Sequence, residues 1–204
     1  MPDAPPTSDE LKKALPHLFA LAAQCSAYHN AFSLFYPREA MNGIEVNHAP
    51  PMQQIFNAVC EATLMSIRKT AEFFKPATDS DRADTLHSYQ FPAYTSQTWI
   101  VPRETYVQFH KRVGHLTLEE IREGKVQWPI FELAMQALNQ WSHFFGAMAI
   151  EYAGDETTAN YCAKCAEVIS GHAAKLEREA RRSLQNSAKE TRSEGEQTGS
   201  GGFL

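Results

Sequence analysis

The sequence contains no apolar run long enough to cross a bilayer. The longest, FFGAMAI at residues 144–150, falls well short of the ~18 residues a spanning helix needs, so no membrane contact is expected. The first residues, MPDAPPTSDELKK, lack a charged lead followed by an apolar stretch, and no signal peptide is read there. A cytoplasmic location is the expectation. Cysteine is scarce, at four residues: Cys25, Cys60, Cys162 and Cys165. In a cytosolic chain with a sizeable core these read as free buried thiols rather than a disulfide framework. Positive charge is also short. Lysine and arginine number 19 against 24 acids, a net charge of -5. No whole-protein positive field draws nucleic acid, and any RNA or DNA contact needs a local basic patch. G-x-x-x-x-G-K-[ST], G-x-G-x-x-G, G-x-S-x-G and H-E-x-x-H are all missing, which excludes the common nucleotide-binding and hydrolase signatures. No cofactor is expected.

What is present is helical periodicity. The chain has 204 residues, 43% hydrophobic and 21% charged, enough for one domain with one core. Residues 1–8 read as a disordered lead, 9–185 as a helical bundle and 186–204 as a polar, disordered tail. Ser8 or Asp9 is the expected cap of the first helix. Leu11, Leu15, Leu18, Ala22, Cys25, Phe32 and Tyr36 recur at helical spacing. Pro16 predicts a kink or a later start, and Pro37 a stop. A loop with Asn-Gly and Pro-Pro breakers follows. A second helix is expected over 52–74, with Ile55, Phe56, Val59, Thr63, Ile67, Thr70 and Phe74 inward and Asn57, Glu61, Arg68 and Glu72 outward. Residues 76–102 are the least periodic, with room for a short helix in SDRADTLHSY. FPAYTSQTWIVP is aromatic rather than Gly- and Ser-rich. It reads as an ordered loop over the core or over a pocket.

A third helix is expected over 102–114, then a short one over 118–123 opened by a Thr117/Glu120 capping box and closed by Gly124. Pro129 starts a long helix with the cleanest amphipathic pattern, from Ile130 through Leu133, Ala137, Trp141 and Phe144 to Met148. Gly154 ends it, and Asp155 or Thr157 opens a last helix to about Leu184. Nothing alternates with period two long enough for a sheet. The expected fold is an all-α antiparallel bundle of about four to five helices.

Three stretches invite chemistry. QFHKRVGHLT, residues 108–117, sets His110 and His115 around a Lys111-Arg112 pair. On an ideal helix the two histidines diverge by about 140°, a poor match to the i, i+4 spacing of helical metal ligands. A structural reading also stands, in which Lys111, Arg112 and His115 complement the negative end of a helix dipole. CAKC, Cys162 to Cys165, lies inside a helical pattern rather than on a strand-to-helix turn. With no second C-x-x-C to complete a zinc site, the thiols read as packed and inert. Cys25 and His29, also at i, i+4, are more simply a core pair than two metal ligands. A metal site drawing on His29, His143, His172 and the cysteines is the remaining reading of these groups, and no Glu-x-x-His pair supports a di-iron centre.

A long helix, then FNAVCEATLMSIRKTAEFF, an irregular segment, FHKRVGHLTLEE and another long helix resemble the HEPN-like bundles. More narrowly, they are similar to uncharacterised bacterial members grouped with abortive-infection proteins. The resemblance spans roughly residues 50–150, and KRVGHLT is its most specific part. It implies a bundle that often forms a homodimer. Active members are metal-independent ribonucleases of toxin-antitoxin and phage-defence systems, with a motif of arginine, four to six residues, then histidine. His115 matches the motif histidine. The arginine does not carry over directly, because the residue five before His115 is His110 and Arg112 is three before it. The resemblance thus implies RNA as the partner, His115, Arg112 and His110 as catalytic groups, and Lys111 and Arg68 as phosphate ligands, with no metal. The expectation from a different class is a non-catalytic helical module that binds a protein partner or a second copy, which the net negative charge favours.

Overall fold

The computed structural model describes residues 5–35, 50–77, 85–95 and 130–197. Four long helices carry these residues: α1 (Ser8–Phe35), α2 (Pro50–Phe74), α3 (Ile130–Glu151) and α4 (Glu156–Gln197). Among the described residues no strand occurs, and no helix is long and apolar enough to cross a membrane. The fold is an all-α bundle. The third helix and the short capped helix expected over 102–123 lie outside the described residues.

Local chemistry sets the ends of the helices. The cap of α1 is Thr7, one residue before Ser8 and two before Asp9, the expected caps. Glu10 N–H donates to Thr7 Oγ1 at 3.3 Å, and Thr7 N–H donates back to Glu10 Oε2 at 2.7 Å. This reciprocal capping box satisfies two otherwise orphaned donors. Pro16 does not delay α1, which starts at Ser8 and continues past it to Phe35. Pro16 is exposed, so water can replace the helical bond that the carbonyl four residues earlier loses. Asp155 caps α4, accepting from Thr158 N–H at 3.2 Å and from Thr158 Oγ1 at 2.9 Å. Met148 O accepts from Tyr152 N–H, and Tyr152 O accepts from Asp155 N–H. These bonds close the short turn that reverses the chain between α3 and α4.

Lys12 Nζ lies 3.0 Å from Asp155 Oδ2, and Ser26 bonds His172. Both contacts step the same way along α1 and α4, so these two helices run parallel and α3 runs against both. Cys25 sits level with Ser66 and Thr70, Thr70 with Trp141, and Phe73 and Phe74 with Phe144. This order makes α2 antiparallel to α1 and parallel to α3.

The core is the union of the apolar stripes. Leu11, Leu15, Leu18, Ala22 and Cys25 of α1 are buried, as are Leu133 through Met148 at helical spacing on α3. Cys162, Cys165, Ile169, Ala173 and Leu176 of α4 complete it. Its densest part is aromatic. Phe73 stacks on Trp141 with centroids 4.9 Å apart, and Phe144 meets Phe73, Phe91 and Tyr94 edge-on at 5.3, 5.0 and 5.3 Å. Each fully buried ring removes enough apolar area from water to contribute about 2–3 kcal/mol of transfer free energy. Phe91 and Tyr94 reach this cluster from the segment after the 3-10 turn Ser88–Gln90. The described part of the aromatic loop therefore covers the core. Residues 96–102 lie outside the described residues.

Two expectations need correction. Ile55, assigned to the inward stripe of α2, is 46% exposed. The stripe becomes buried at Thr63, Leu64 and Ile67, where α1 and α3 flank it. The last helix continues to Gln197 rather than ending near Leu184. The last buried side chain among the described residues is nevertheless Leu176. Beyond it come Lys, Glu, Arg, Gln and Ala, residues of high helix propensity with little apolar surface to pack.

Candidate functional site

Of the sequence-derived site residues, His110, Lys111, Arg112 and His115 lie outside the described residues. Arg68 is half-buried on α2 and already engaged in an interaction of its own. No contact between these residues falls among the described residues.

Among the described residues the alternative metal ligands do not converge. His143 is exposed on α3, and the side chain of His29 lies outside the described residues. No group of three His, Cys, Asp or Glu side chains that could hold a metal ion occurs among the described residues. Cys25, Cys162 and Cys165 are free and buried. Burial, with a smaller push from neighbouring Cys165, raises the Cys162 thiol to about 11. Burial likewise raises Cys165, against a hydrogen bond from Tyr161 that lowers it. Cys25 is raised by burial and partly drawn back by Ser66 and Thr70, 3.0 and 3.5 Å from its sulfur. Thiols held neutral in this way are poor nucleophiles and poor metal ligands.

The described surface contains a concave region between α1 and α4. A groove of about 160 Å³ is lined by Phe19, Ala22, Ala23 and Ser26 of α1 and by Val168, Ile169 and His172 of α4. It adjoins a wider depression of about 380 Å³ along α4, to which Lys164, Glu167, Val168, Gly171, His172 and Lys175 contribute. At the junction Ser26 Oγ and His172 Nδ1 share a short hydrogen bond. This pair resembles half of a nucleophile–base arrangement. A working one needs a third group to orient the imidazole and donors for an oxyanion. No bond from a carboxylate to His172 occurs among the described residues, and the nearby backbone N–H groups are taken up in helical bonds. The pair ties α1 to α4 and fixes one wall of the groove.

A second histidine was invisible in the sequence pattern. His87 is fully buried beside the aromatic cluster, its ring stacked on Tyr89 at 5.1 Å. Its Nδ1 lies 3.0 Å from Glu72 O in the last turn of α2. A carbonyl only accepts, so Nδ1 carries the proton and Nε2 is left as a buried acceptor with no partner among the described residues. His87 N–H donates to Gln90 Oε1 at 2.7 Å. These bonds pin the aromatic segment to the end of α2, a structural role that no sequence signal marked. Ser26, next to Cys25 at the edge of the α1 stripe, was equally unmarked. No family model, curated protein or solved structure matches the chain.

Proposed function

We propose that the chain is a helical RNA-directed protein, similar to the HEPN-like bundles, with residues 108–117 as its reactive segment. The observation that supports this reading is the bundle. Four long helices form an all-α bundle, the fold class the resemblance expects, and the Lys-Arg-His stretch lies in sequence between α2 and α3. Cleavage would proceed by attack of a ribose 2′-hydroxyl on the adjacent phosphorus. The bond to the 5′ oxygen breaks, leaving a cyclic phosphate. His115 serves as the acid–base group near neutrality, and His110 assists proton transfer. Arg112 and Lys111 stabilise phosphate charge. Arg68 of α2 is the second phosphate ligand in this reading. A symmetric dimer would bring two such segments together.

The test is cleavage of a 5′-labelled structured RNA by purified protein in EDTA, beside His115→Ala. Cleavage by the wild type alone is the expected result. A folded His115→Ala protein that still cuts RNA would overturn the catalytic role.

A second reading, a non-catalytic helical interaction module, is favoured by one feature of α4. Tyr161 and Val168, one heptad apart, are 37% and 38% exposed, a spacing that a partner helix can pack against. Sedimentation separates this reading. It expects a concentration-dependent doubling of mass that Val168→Asp abolishes.

A further inference from the structure

With a net charge of -5, the chain can attract a polyanion only through a local concentration of cations. The described part of α4 provides one. At 100° per residue, Lys164, Lys175 and Arg178 fall within about 60° of one another on the helix circumference; all three are exposed, Lys175 with an interaction of its own, so that Lys164 and Arg178 carry the track. They span about 21 Å along the axis at a rise of 1.5 Å per residue. Between them lie Val168 and Gly171, in the floor of the depression that Lys164 and Lys175 border. Tyr161, one turn before Lys164, exposes part of its ring, and an exposed aromatic beside a cationic track is a platform on which bases stack. Glu167 is the carboxylate among the residues lining the depression. Glu177 does not oppose the track, because it is paired with Arg181.

Gly171 strengthens the argument. It sits inside a helix, where glycine is less favourable than alanine. A side chain added there meets nothing within 4 Å. No close approach within the described fold accounts for it, and its effect is to keep the floor of the depression low where a ligand's backbone could lie.

We propose that this face of α4, from Tyr161 to Arg178, binds the phosphate backbone of single-stranded RNA. The inference rests on the RNA-directed reading above and deepens it, adding a binding track separate from residues 108–117. Recognition runs through phosphate charge and stacking, so binding is tolerant of sequence and weakened by salt.

The experiment measures fluorescence anisotropy of a labelled single-stranded RNA with full-length protein, between 50 and 200 mM salt. Lys164→Gln/Arg178→Gln is compared with Lys13→Gln/Lys69→Gln, which removes the same charge from exposed positions on α1 and α2. The strip variant should bind roughly 10- to 30-fold more weakly near 0.1 M salt, and its log–log salt slope should fall by about 1.4, the value for two lost single-strand phosphate contacts. Gly171→Trp, which fills the depression, should weaken binding with both charges intact, and Glu167→Gln should tighten it. Equal loss in the strip and control variants, or none in either, overturns the track while leaving the RNA-directed reading standing. Wild-type protein that binds no RNA at 50 mM salt overturns both. If that protein instead doubles in mass and Val168→Asp abolishes the doubling, the face belongs to a second copy.

Discussion

Trp141 donates its indole N–H to Thr70 Oγ1 at 3.1 Å across the interface of α3 and α2. The same hydroxyl donates to Ser66 O at 3.0 Å and lies 3.5 Å from Cys25 Sγ of α1. One threonine thus serves three helices, in a place where an indole without a partner would be costly. Thr70→Val keeps the shape and removes the acceptor. It should destabilise the protein by about 1–3 kcal/mol, the penalty for a buried donor left unsatisfied. In urea unfolding, Trp141→Phe should cost less on the Thr70→Val background than on the wild type, because the orphaned donor is then gone. Strict additivity would show that the bond does not matter.

The pH dependence centres on Asp155. Its carboxyl is held below the ordinary value of 3.8, first by the hydrogen bond from Lys12 and then by those from Thr158. A depressed carboxylate contributes stability that is present above its unfolded pKa and lost as pH falls through its folded pKa. Asp155→Asn keeps a competent cap and removes the charge. The variant should melt below the wild type at pH 7, with the gap closing as pH drops below 3.8. A gap that persists to pH 2 would assign the effect to capping alone.

Periodicity made the helices legible wherever a stripe is both apolar and packed. Leu11 to Cys25, Leu133 to Met148 and Cys162 to Leu176 are buried at the spacings their sequence shows. It misjudged Ile55, because hydrophobicity reports what could be buried and not whether a neighbouring helix reaches it. It placed the first cap one or two residues late, because Thr7, Ser8 and Asp9 are all chemically able to cap. Geometry decides among them: Thr7 alone has Glu10 three residues on to complete the box. His87 and Ser26 could not be found from the sequence. Their partners, Glu72 and His172, are contacts made by the fold rather than by any local pattern. The reading of His115, Arg112, His110 and Lys111 came from a motif, and no described contact bears on it.

The buried thiols give a chemical test. Cys162, pushed up to about 11, holds almost no thiolate at pH 8, and burial shifts Cys25 and Cys165 in the same direction. Iodoacetamide followed by peptide mapping should leave all three unmodified in the native protein and alkylate them in urea. Fast native alkylation at Cys162 or Cys165 would mean that the end of the bundle around Tyr161 opens readily.

His87 joins the aromatic segment to α2 through one ring nitrogen, with the other buried and without a partner among the described residues. His87→Ala removes the bond to Glu72 O and the ring that stacks on Tyr89, and it leaves a cavity where the buried imidazole stood. A loss of about 2–4 kcal/mol follows from the cavity and the lost hydrogen bond together. His87→Phe fills the cavity and removes the unpartnered nitrogen while still losing the bond, so it should recover a large part of that loss. Hydrogen exchange locates the effect. In His87→Ala, amides of residues 85–95 and of the last turn of α2 should exchange faster than those of α3 and α4. Uniform acceleration across all four helices would instead make His87 part of the global core and not the fastening of one segment.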